Sequence, residues 1–576
     1  MSDDVTETTS DTPTGLARFM PILQWAPSYR RQWFRPDLIA GLTVAALVVP
    51  KSLGYAGIAG VPIEYGLYAA AAGALLYPLF GTSKQIATGP SSALAAVAAG
   101  AVLTAGVSGG DDAVKLVAAI TFVSGLLYLL LALFRMGWIS QFLSKAVITG
   151  FLFGAAIQVV IGELPKITGT EADGSNSWRE LGSWVQGLSD TDAATLVVGG
   201  ISLIVIFGLK IYAPKVPGAL VLVVGGILAA SLFGLEDSSV ALVGDVPRGL
   251  PSFQFPDLEF MRNNLPVIAG ASIGLLLIGF SQTAGDARSF ATKHRYQVDI
   301  NQETVAQGAA NVGSGLVQGI PVSTSLSASS LNDTSGAKTG VASLTTGLLI
   351  VLTMLVLAPL FSDLPNAVLA AVIIEAVVGG MMDVPEMRRL HRVKRFDFWV
   401  AIAALLGVLT AGVLAGVAIG VVLSLIWLVY VATTPTSPVL GRQPGTQVFG
   451  DLSENPDWET YPGLLVMRFD SGLFFASADA LQDRLRDLTQ RAPTRVETIV
   501  VSFEGIDFID SQGSAEVGTI QDLADSYGAE LRLARVKAEV LDVLRLDGVV
   551  DAIGEDRIYG NLYRATEDKI TGEQAG

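Results

Sequence analysis

Two blocks roughly 235 residues apart carry the residue types best suited to holding a charged solute, and paired Gly/Pro-broken segments in the two halves of a membrane protein are the strongest sequence pointer to a transporter's binding site. One is Gly81-Thr82-Ser83-Lys84-Gln85-Ile86-Ala87-Thr88-Gly89-Pro90-Ser91-Ser92. The other is Gly319-Ile320-Pro321-Val322-Ser323-Thr324-Ser325-Leu326-Ser327. Each interrupts apolar sequence with Gly, Pro and small hydroxyl residues. A helix that starts in mid-bilayer presents N–H groups without partners and roughly half a positive charge. Two such ends meeting head to head would bind an anion with no metal and no full counter-charge. The sequence places these ends at Gly89–Ser92 and Ser323–Ser327, with the hydroxyls of Thr88, Ser91, Thr324, Ser325 and Ser327 as further donors. The competing reading is that small residues merely permit close helix packing. Prolines in both blocks, at equivalent positions of the two halves, favour the site.

Ionisable residues inside apolar sequence come next. Lys51 follows Pro50 well within the first apolar segment. Its ammonium either attracts the anion or snorkels to the interface, and both readings stand. Asp286, in Gly285-Asp286-Ala287-Arg288, is an intramembrane acid and so a coupling-ion candidate for H⁺ or Na⁺. The alternative is an ion pair with Arg288 or Lys293. Glu303 is read as capping or bracing its span. Glu375 is read as paired or at a subunit contact rather than as a solute ligand, and Lys145 as snorkelling. His294 and His391, the 2 histidines, fall in expected loops, and cysteine is absent. An intramembrane histidine relay and histidine or thiolate metal sites are therefore not expected. No cofactor is expected beyond the coupling ion, and no enzymatic reaction.

The elements that must position these groups follow from composition. The chain has 576 residues, 51% hydrophobic and 16% charged, against about 25% charged in soluble proteins; its mean hydropathy is +0.52. Apolar segments long enough to cross a hydrocarbon core of about 30 Å recur up to residue 433. They run 37–58, 64–80, 88–104, 113–134, 138–161, 192–211, 217–235, 265–288, 302–319, 323–337, 339–361, 364–382, 395–413 and 414–433. Loops on the N-terminal side carry Arg30, Arg31, Arg35, Lys84, Arg135, Lys210, Lys215, Arg288, Lys293, Arg295 and the basic run 388–395. Opposite loops carry Asp111, Asp112, Glu163, Glu171, Asp173, Glu180, Asp190, Glu236 and Asp237. The positive-inside rule then predicts cytoplasmic N- and C-termini in a multi-pass plasma-membrane protein. Fourteen spans divide 7+7, and an odd-numbered repeat must be inverted in the membrane. The broken blocks fall in spans 3 and 10, equivalent positions. The polar, Arg-bearing N-terminus is not a cleavable signal peptide. A net charge of −16 argues against nucleic-acid binding.

Beyond residue 433 the pattern is soluble and β/α. Residues 463–469, 496–503 and 529–534 read as strands; 478–489, 511–527 and 538–546 read as helices, with Asp510 as an N-cap. Such alternation predicts a small sheet covered by helices.

Several blocks resemble the sulfate permease (SulP) family of anion transporters. They are Pro36–Val44 with Val49–Ala56, Ala87-Thr88-Gly89-Pro90, Asn301-Gln302-Glu303, Gln307–Asn311 and Gly319–Val322. Ile506-Asp507-Phe508-Ile509-Asp510-Ser511-Gln512-Gly513 is similar to the STAS domain that such transporters carry. The resemblance spans about residues 30–550. It implies an α-helical membrane protein with two intertwined seven-span inverted repeats: a mobile core of spans 1–4 and 8–11 and a gate of spans 5–7 and 12–14. It also implies a homodimer, with contacts from the gate and the STAS domain. The domains are then a tail (1–36), a transport domain (37–433), a linker (434–450), a STAS domain (451–565) and a C-terminal tail (566–576). Relatives often carry an acid where this chain has Gln282, Arg where it has Ala328, and Gln where it has Lys51. The displaced acid Asp286 leaves the coupling ion open, and Lys51 is a candidate replacement for the missing Arg. In related anti-sigma antagonists the serine matching Ser511 is phosphorylated, which makes Ser511 a regulatory candidate; helix capping is the default. A cytoplasmic partner of the STAS domain is a further expectation. The expected function is secondary active transport of a small anion, with sulfate the family default and bicarbonate or a fumarate-like dicarboxylate as alternatives. Nucleobase symport and STAS-based signalling are further alternatives.

Overall fold

Inside a bilayer the backbone has no water to bond, so apolar runs satisfy their N–H and C=O groups as helices. In the computed structural model each expected segment contains a helix. The spans are 1 (Phe34–Ala59), 2 (Glu64–Phe80), 3 (Ser92–Thr104), 4 (Gly110–Leu133), 5 (Lys145–Thr168), 6 (Ala193–Tyr212) and 7 (Gly218–Phe233). In the second half they are 8 (Leu265–His294), 9 (Ile300–Leu316), 10 (Leu326–Thr334), 11 (Val341–Leu352, continuing through irregular turns to Asp363), 12 (Asn366–Gly380), 13 (Arg395–Ala411) and 14 (Val413–Thr433). Among the described residues, 8 helices are long and apolar enough to cross a membrane. Spans 3 and 10 are half-length, at 13 and 9 residues. The structure describes residues 19–107, 110–136, 144–174, 176–214, 216–235 and 238–572. Lys215, Glu236, Asp237, the 138–143 start expected for span 5, most of the N-terminal tail and residues 573–576 lie outside them.

The spans pack in two groups. Span 9 lies against spans 2 and 4, span 11 against 1 and 2, and span 8 against 3 and 4; span 12 packs on 5 and 6, and span 13 on 5. Each half of the helical domain thus places its half-length span third in order. The two compact units of the chain part within span 14, between Ser424 and Leu425.

The half-length spans follow extended segments. Strand β1 (Thr88–Pro90) precedes span 3 and β2 (Val322–Thr324) precedes span 10. They pair antiparallel, Thr88 opposite Thr324, Gly89 opposite Ser323 and Pro90 opposite Val322. Gly73 lets span 2 approach this ribbon: a Cβ there would stand 2.9 Å from the Thr88 carbonyl oxygen.

After the end of span 14 the second unit carries an antiparallel pair, β3 (Leu440–Arg442) and β4 (Phe449–Asp451). A parallel sheet follows in the order β5 (Leu464–Arg468), β6 (Thr498–Ser502), β7 (Glu530–Ala534), β8 (Ile558–Tyr559). Helices Ala478–Arg491, Ser511–Tyr527 and Ala538–Leu546 cover it. Apolar side chains of sheet and helices, among them Phe469, Leu481, Ile499, Val517 and Leu531, form one core.

Several boundaries differ from the sequence reading. Residues 434–450, read as a linker, contain β3 and most of β4; the intervening Gly and Pro mark a turn rather than a tether. The 566–576 tail is helical to Gly572, because Leu562, Ala565 and Ile570 share a buried face and Arg532 grips Asp568 at 2.6 and 2.8 Å. Glu163, expected in a loop, lies inside span 5 and pairs with Lys166 at 2.8 Å, which lets the helix run on to Thr168. Span 8 likewise extends through Arg288 and Lys293 to His294, and His391 sits in a short helix, Val384–Val393, rather than a loop. Lys145, read as snorkelling, is largely exposed and also pairs with Glu386 at 3.2 Å.

Candidate functional site

Two non-helical stretches in mid-fold need partners for their backbone groups, and polar side chains of the neighbouring spans supply them. On the β2 side, Asn311 takes the Val322 N–H at 3.0 Å and returns its amide to the Val322 carbonyl at 2.9 Å, which Gln307 also reaches at 2.7 Å. Ser314 donates to the Ile320 carbonyl at 2.7 Å. On the β1 side, the Ala87 N–H donates to Ser329 at 2.9 Å, Asn332 donates to the Gln85 carbonyl at 3.0 Å, and Ser343 donates to the Ile86 carbonyl at 3.2 Å. Glu303 is fully buried and accepts from the Thr82 N–H and hydroxyl at 2.6 Å, from the Ser83 N–H at 2.9 Å and from the Tyr77 hydroxyl. It braces the chain just before β1. The sequence reading attached it to its own span; the partner is a segment more than two hundred residues away in the chain.

With the ribbon held, the starts of spans 3 and 10 open on shared space. A cavity of ≈ 640 Å³ is lined by Lys51, Ser91, Thr324, Ser325, Ser327, Gln282 and Asp286. A second, of ≈ 20 Å³ and so about the size of one water, is lined by Thr88 and Gly89 together with Lys51 and Ser325. Every membrane residue singled out from sequence as a candidate ligand or coupling group therefore borders one of two adjoining cavities. Lys51 is only partly buried and borders both.

Span 8 is joined to the start of span 10. Thr324 donates to Asp286 at 2.8 Å and Ser323 to Gln282 at 2.9 Å. Of the two alternative partners offered for Asp286, Arg288 and Lys293, Lys293 instead pairs with Asp333 at 2.6 Å, beside His294 at 2.7 Å. The N-cap Ser325 accepts from the Ala328 N–H at 3.3 Å. Ser91, the N-cap of span 3, makes no such bond, and Thr88 Oγ1 is buried without a hydrogen-bond partner. Ala328 is buried against Val44 and Ala87. The arrangement thus offers helix-terminal N–H groups, hydroxyls and a lysine to an anion, with one carboxylate a single hydrogen bond away.

Glu375 lies in span 12 and is paired, as the sequence reading had it; its partner Lys210 is not where that reading put it. Lys210, expected in a loop, lies in the last turn of span 6; it pairs with Glu375 of span 12 at 2.6 Å, and both border the larger cavity. Ser329, Asn332 and Tyr77 were not singled out. The available signal was polar side chains recurring inside otherwise apolar spans.

In the second unit Asp510 caps the helix that begins at Ser511, accepting from the Gly513 N–H at 2.8 Å and from the Phe475 N–H at 3.0 Å. Ser511 is exposed beside that cap.

The sulfate permease family matches residues 34–404, and the STAS domain matches residues 455–567. A protein of Mycobacterium tuberculosis (strain H37Rv) named as a probable sulfate transporter is 32% identical over 551 residues, spanning 94% of this chain and 98% of that protein. High affinity sulfate transporter 2 of Stylosanthes hamata is 30% identical over 570 residues, spanning 95% of this chain and 85% of its own. Among solved structures, the murine Solute Carrier 26 family member A9 anion transporter in its inward-facing state aligns over 99% of this chain and 97% of that one, with TM-score 0.87 and 21% identity. The transmembrane domain of a cyanobacterial bicarbonate transporter, BicA, aligns over 69% of this chain and 98% of its own, with TM-score 0.57 and 22% identity.

Proposed function

We propose a transport function for this chain, which belongs to the sulfate permease family: it moves a small inorganic anion, sulfate first, across the membrane as a secondary active transporter. The anion sits between the N-termini of spans 3 and 10. The observation that carries this reading is the β1–β2 pairing, after which the starts of both helices border one cavity, where their partial positive charges would favour an anion. Thr88, Gly89, Ser91, Thr324, Ser325 and Ser327 supply the donors, and Lys51 supplies a fixed positive charge where relatives use Arg elsewhere. The names of the curated relatives favour sulfate.

Coupling follows from the join between spans 8 and 10. Thr324 belongs to the anion site and donates to Asp286, so protonation of that carboxylate, or Na⁺ binding at Asp286 and Gln282, alters the donor set the anion meets. The basic run 388–395 and Arg30, Arg31 and Arg35 favour cytoplasmic termini in a plasma-membrane protein. In this reading the protein is a homodimer, and Ser511 is a regulatory position of the STAS domain.

Uptake of labelled sulfate, bicarbonate and fumarate into proteoliposomes, with and without pH and Na⁺ gradients, tests the reading. Sulfate accumulation driven by one of the two gradients is expected. Bicarbonate or fumarate accumulation without sulfate would change the substrate, and no uptake of any of the three would sink the assignment.

A further inference from the structure

An ion pair in the cavity wall has no part in the transport reading above. Lys210 donates to Glu375 at 2.6 Å, and both border the cavity that holds Lys51, Ser91, Thr324 and Asp286. The ammonium sits in a notch. A Cβ built on Gly379, one turn beyond Glu375, would stand 2.1 Å from Lys210 Nζ and 3.2 Å from Glu375 Oε1. The missing side chain therefore admits the charged head. The lysine side chain is the more open partner, 44% exposed against 15% for the glutamate. Spans 6 and 12 already pack on one another, with Ile206 and Val368 in one apolar core, so joining them does not require an ion pair on a solute-facing wall, where each charge carries a desolvation cost. Lys51 and Lys210 against Glu375 and Asp286 leave the cavity's side-chain charges balanced, so a dianion gains attraction if Lys210 turns from Glu375 toward the solute.

We propose that Lys210 is a specificity-determining cation of the anion site: it rests against Glu375 in the Gly379 notch and adds a second positive charge beside Lys51 for a doubly charged solute. This rests on the transport reading, and it names the class of anion favoured, a dianion over a monoanion.

The test compares full-length K210Q, E375Q and G379A in proteoliposomes, measuring KM and kcat for labelled sulfate and the competition by bicarbonate. K210Q is expected to raise the sulfate KM about five- to tenfold and to narrow the preference over bicarbonate. E375Q, which frees the lysine, is expected to lower KM by a similar factor. G379A changes no charge but displaces the ammonium from Glu375, and is expected to shift KM in the same direction as E375Q. A pair that only pinned spans 6 and 12 together would behave differently. K210Q and E375Q would then impair uptake with the same sign, and the swap Lys210→Glu with Glu375→Lys would restore it. Either result overturns the proposal while wild-type uptake stands. If the wild type takes up none of the three anions, the transport reading falls and this proposal falls with it. Size-exclusion profiles check folding, and E375Q carries the sign test if G379A misfolds.

Discussion

Thr88 and Thr324 face one another across the β1–β2 ribbon, yet their hydroxyls are engaged differently. Thr324 donates to Asp286, and its neighbour Ser323 to Gln282; Thr88 Oγ1 is buried and has no partner. The helix starts differ in the same sense. Ser325 caps the Ala328 N–H, whereas Ser91 caps nothing. A buried hydroxyl without a partner costs about 1–3 kcal/mol, and an anion or water in the adjoining space would relieve that cost. The two halves therefore share a backbone path but hold their polar groups differently. The start of span 3 keeps its donors open, while the start of span 10 is tied to the carboxylate of span 8.

The largest break in this comparison is Asp286→Asn. It removes the charge to which only the span 10 side is tied, so gradient-driven sulfate uptake should fall more than about tenfold while gradient-free exchange survives. Initial rates with and without pH and Na⁺ gradients check this; uptake that still follows a gradient would move coupling away from span 8. Next in size is Glu303→Ala, which strips the acceptor from Tyr77, Thr82 and Ser83 on the span 3 side. Leaving those donors buried should cost about 3 kcal/mol or more, seen as a lower melting temperature in detergent. Asn311→Ala makes the corresponding break at Val322 on the span 10 side, and a smaller loss is expected because Gln307 still holds that carbonyl.

Thr88→Val and Thr324→Val sharpen the contrast directly. Thr88→Val should raise the sulfate KM about threefold, the effect of one lost neutral donor, with gradient dependence intact. Thr324→Val should weaken gradient dependence more than KM. Matching profiles for the two variants would mean that the two halves play one role. The smallest effect expected lies in the second unit. A hydrogen bond from Arg532 is the main cause holding the Asp568 carboxyl below its ordinary value of 3.8. A depressed carboxylate pKa contributes stability above the unfolded value and loses it as pH falls through the folded one. Asp568→Asn should therefore destabilise this unit by less than about 1 kcal/mol at neutral pH, since Asp568 is half exposed and the buried Arg532 keeps Glu530. The difference from wild type should vanish in acid, as chemical unfolding at pH 7 and below pH 3.8 would show.

Much of this site was readable in the chain because its cause is local. Gly and Pro inside apolar sequence cannot continue a helix cheaply, so the breaks before Ser92 and Leu326, and the hydroxyls beside them, follow from residue type alone. Asp510 before Ser511 announced its helix for a similar reason, since a short acceptor side chain at a helix start satisfies a free N–H. Charged residues were the poorest guide. Glu163, Lys210 and Lys293 looked like loop residues, but each has a partner that lets it stay on a helix. Hydropathy scores residues singly and is blind to such pairing.

Taken alone, the amino-acid sequence determined the number and type of the membrane segments, the two interruptions and the chemical character of the groups around them, because these depend on hydropathy and backbone propensity over a few residues. Tertiary structure alone decided that Thr88 lies opposite Thr324, that Glu303 braces Thr82 and Ser83, that Asp286 meets Thr324 rather than Lys293, and that Lys210 faces the cavity from beside Glu375. These pairings join residues distant in the chain through directional hydrogen bonds and close-packed contacts, and no local pattern encodes which distant partner completes them.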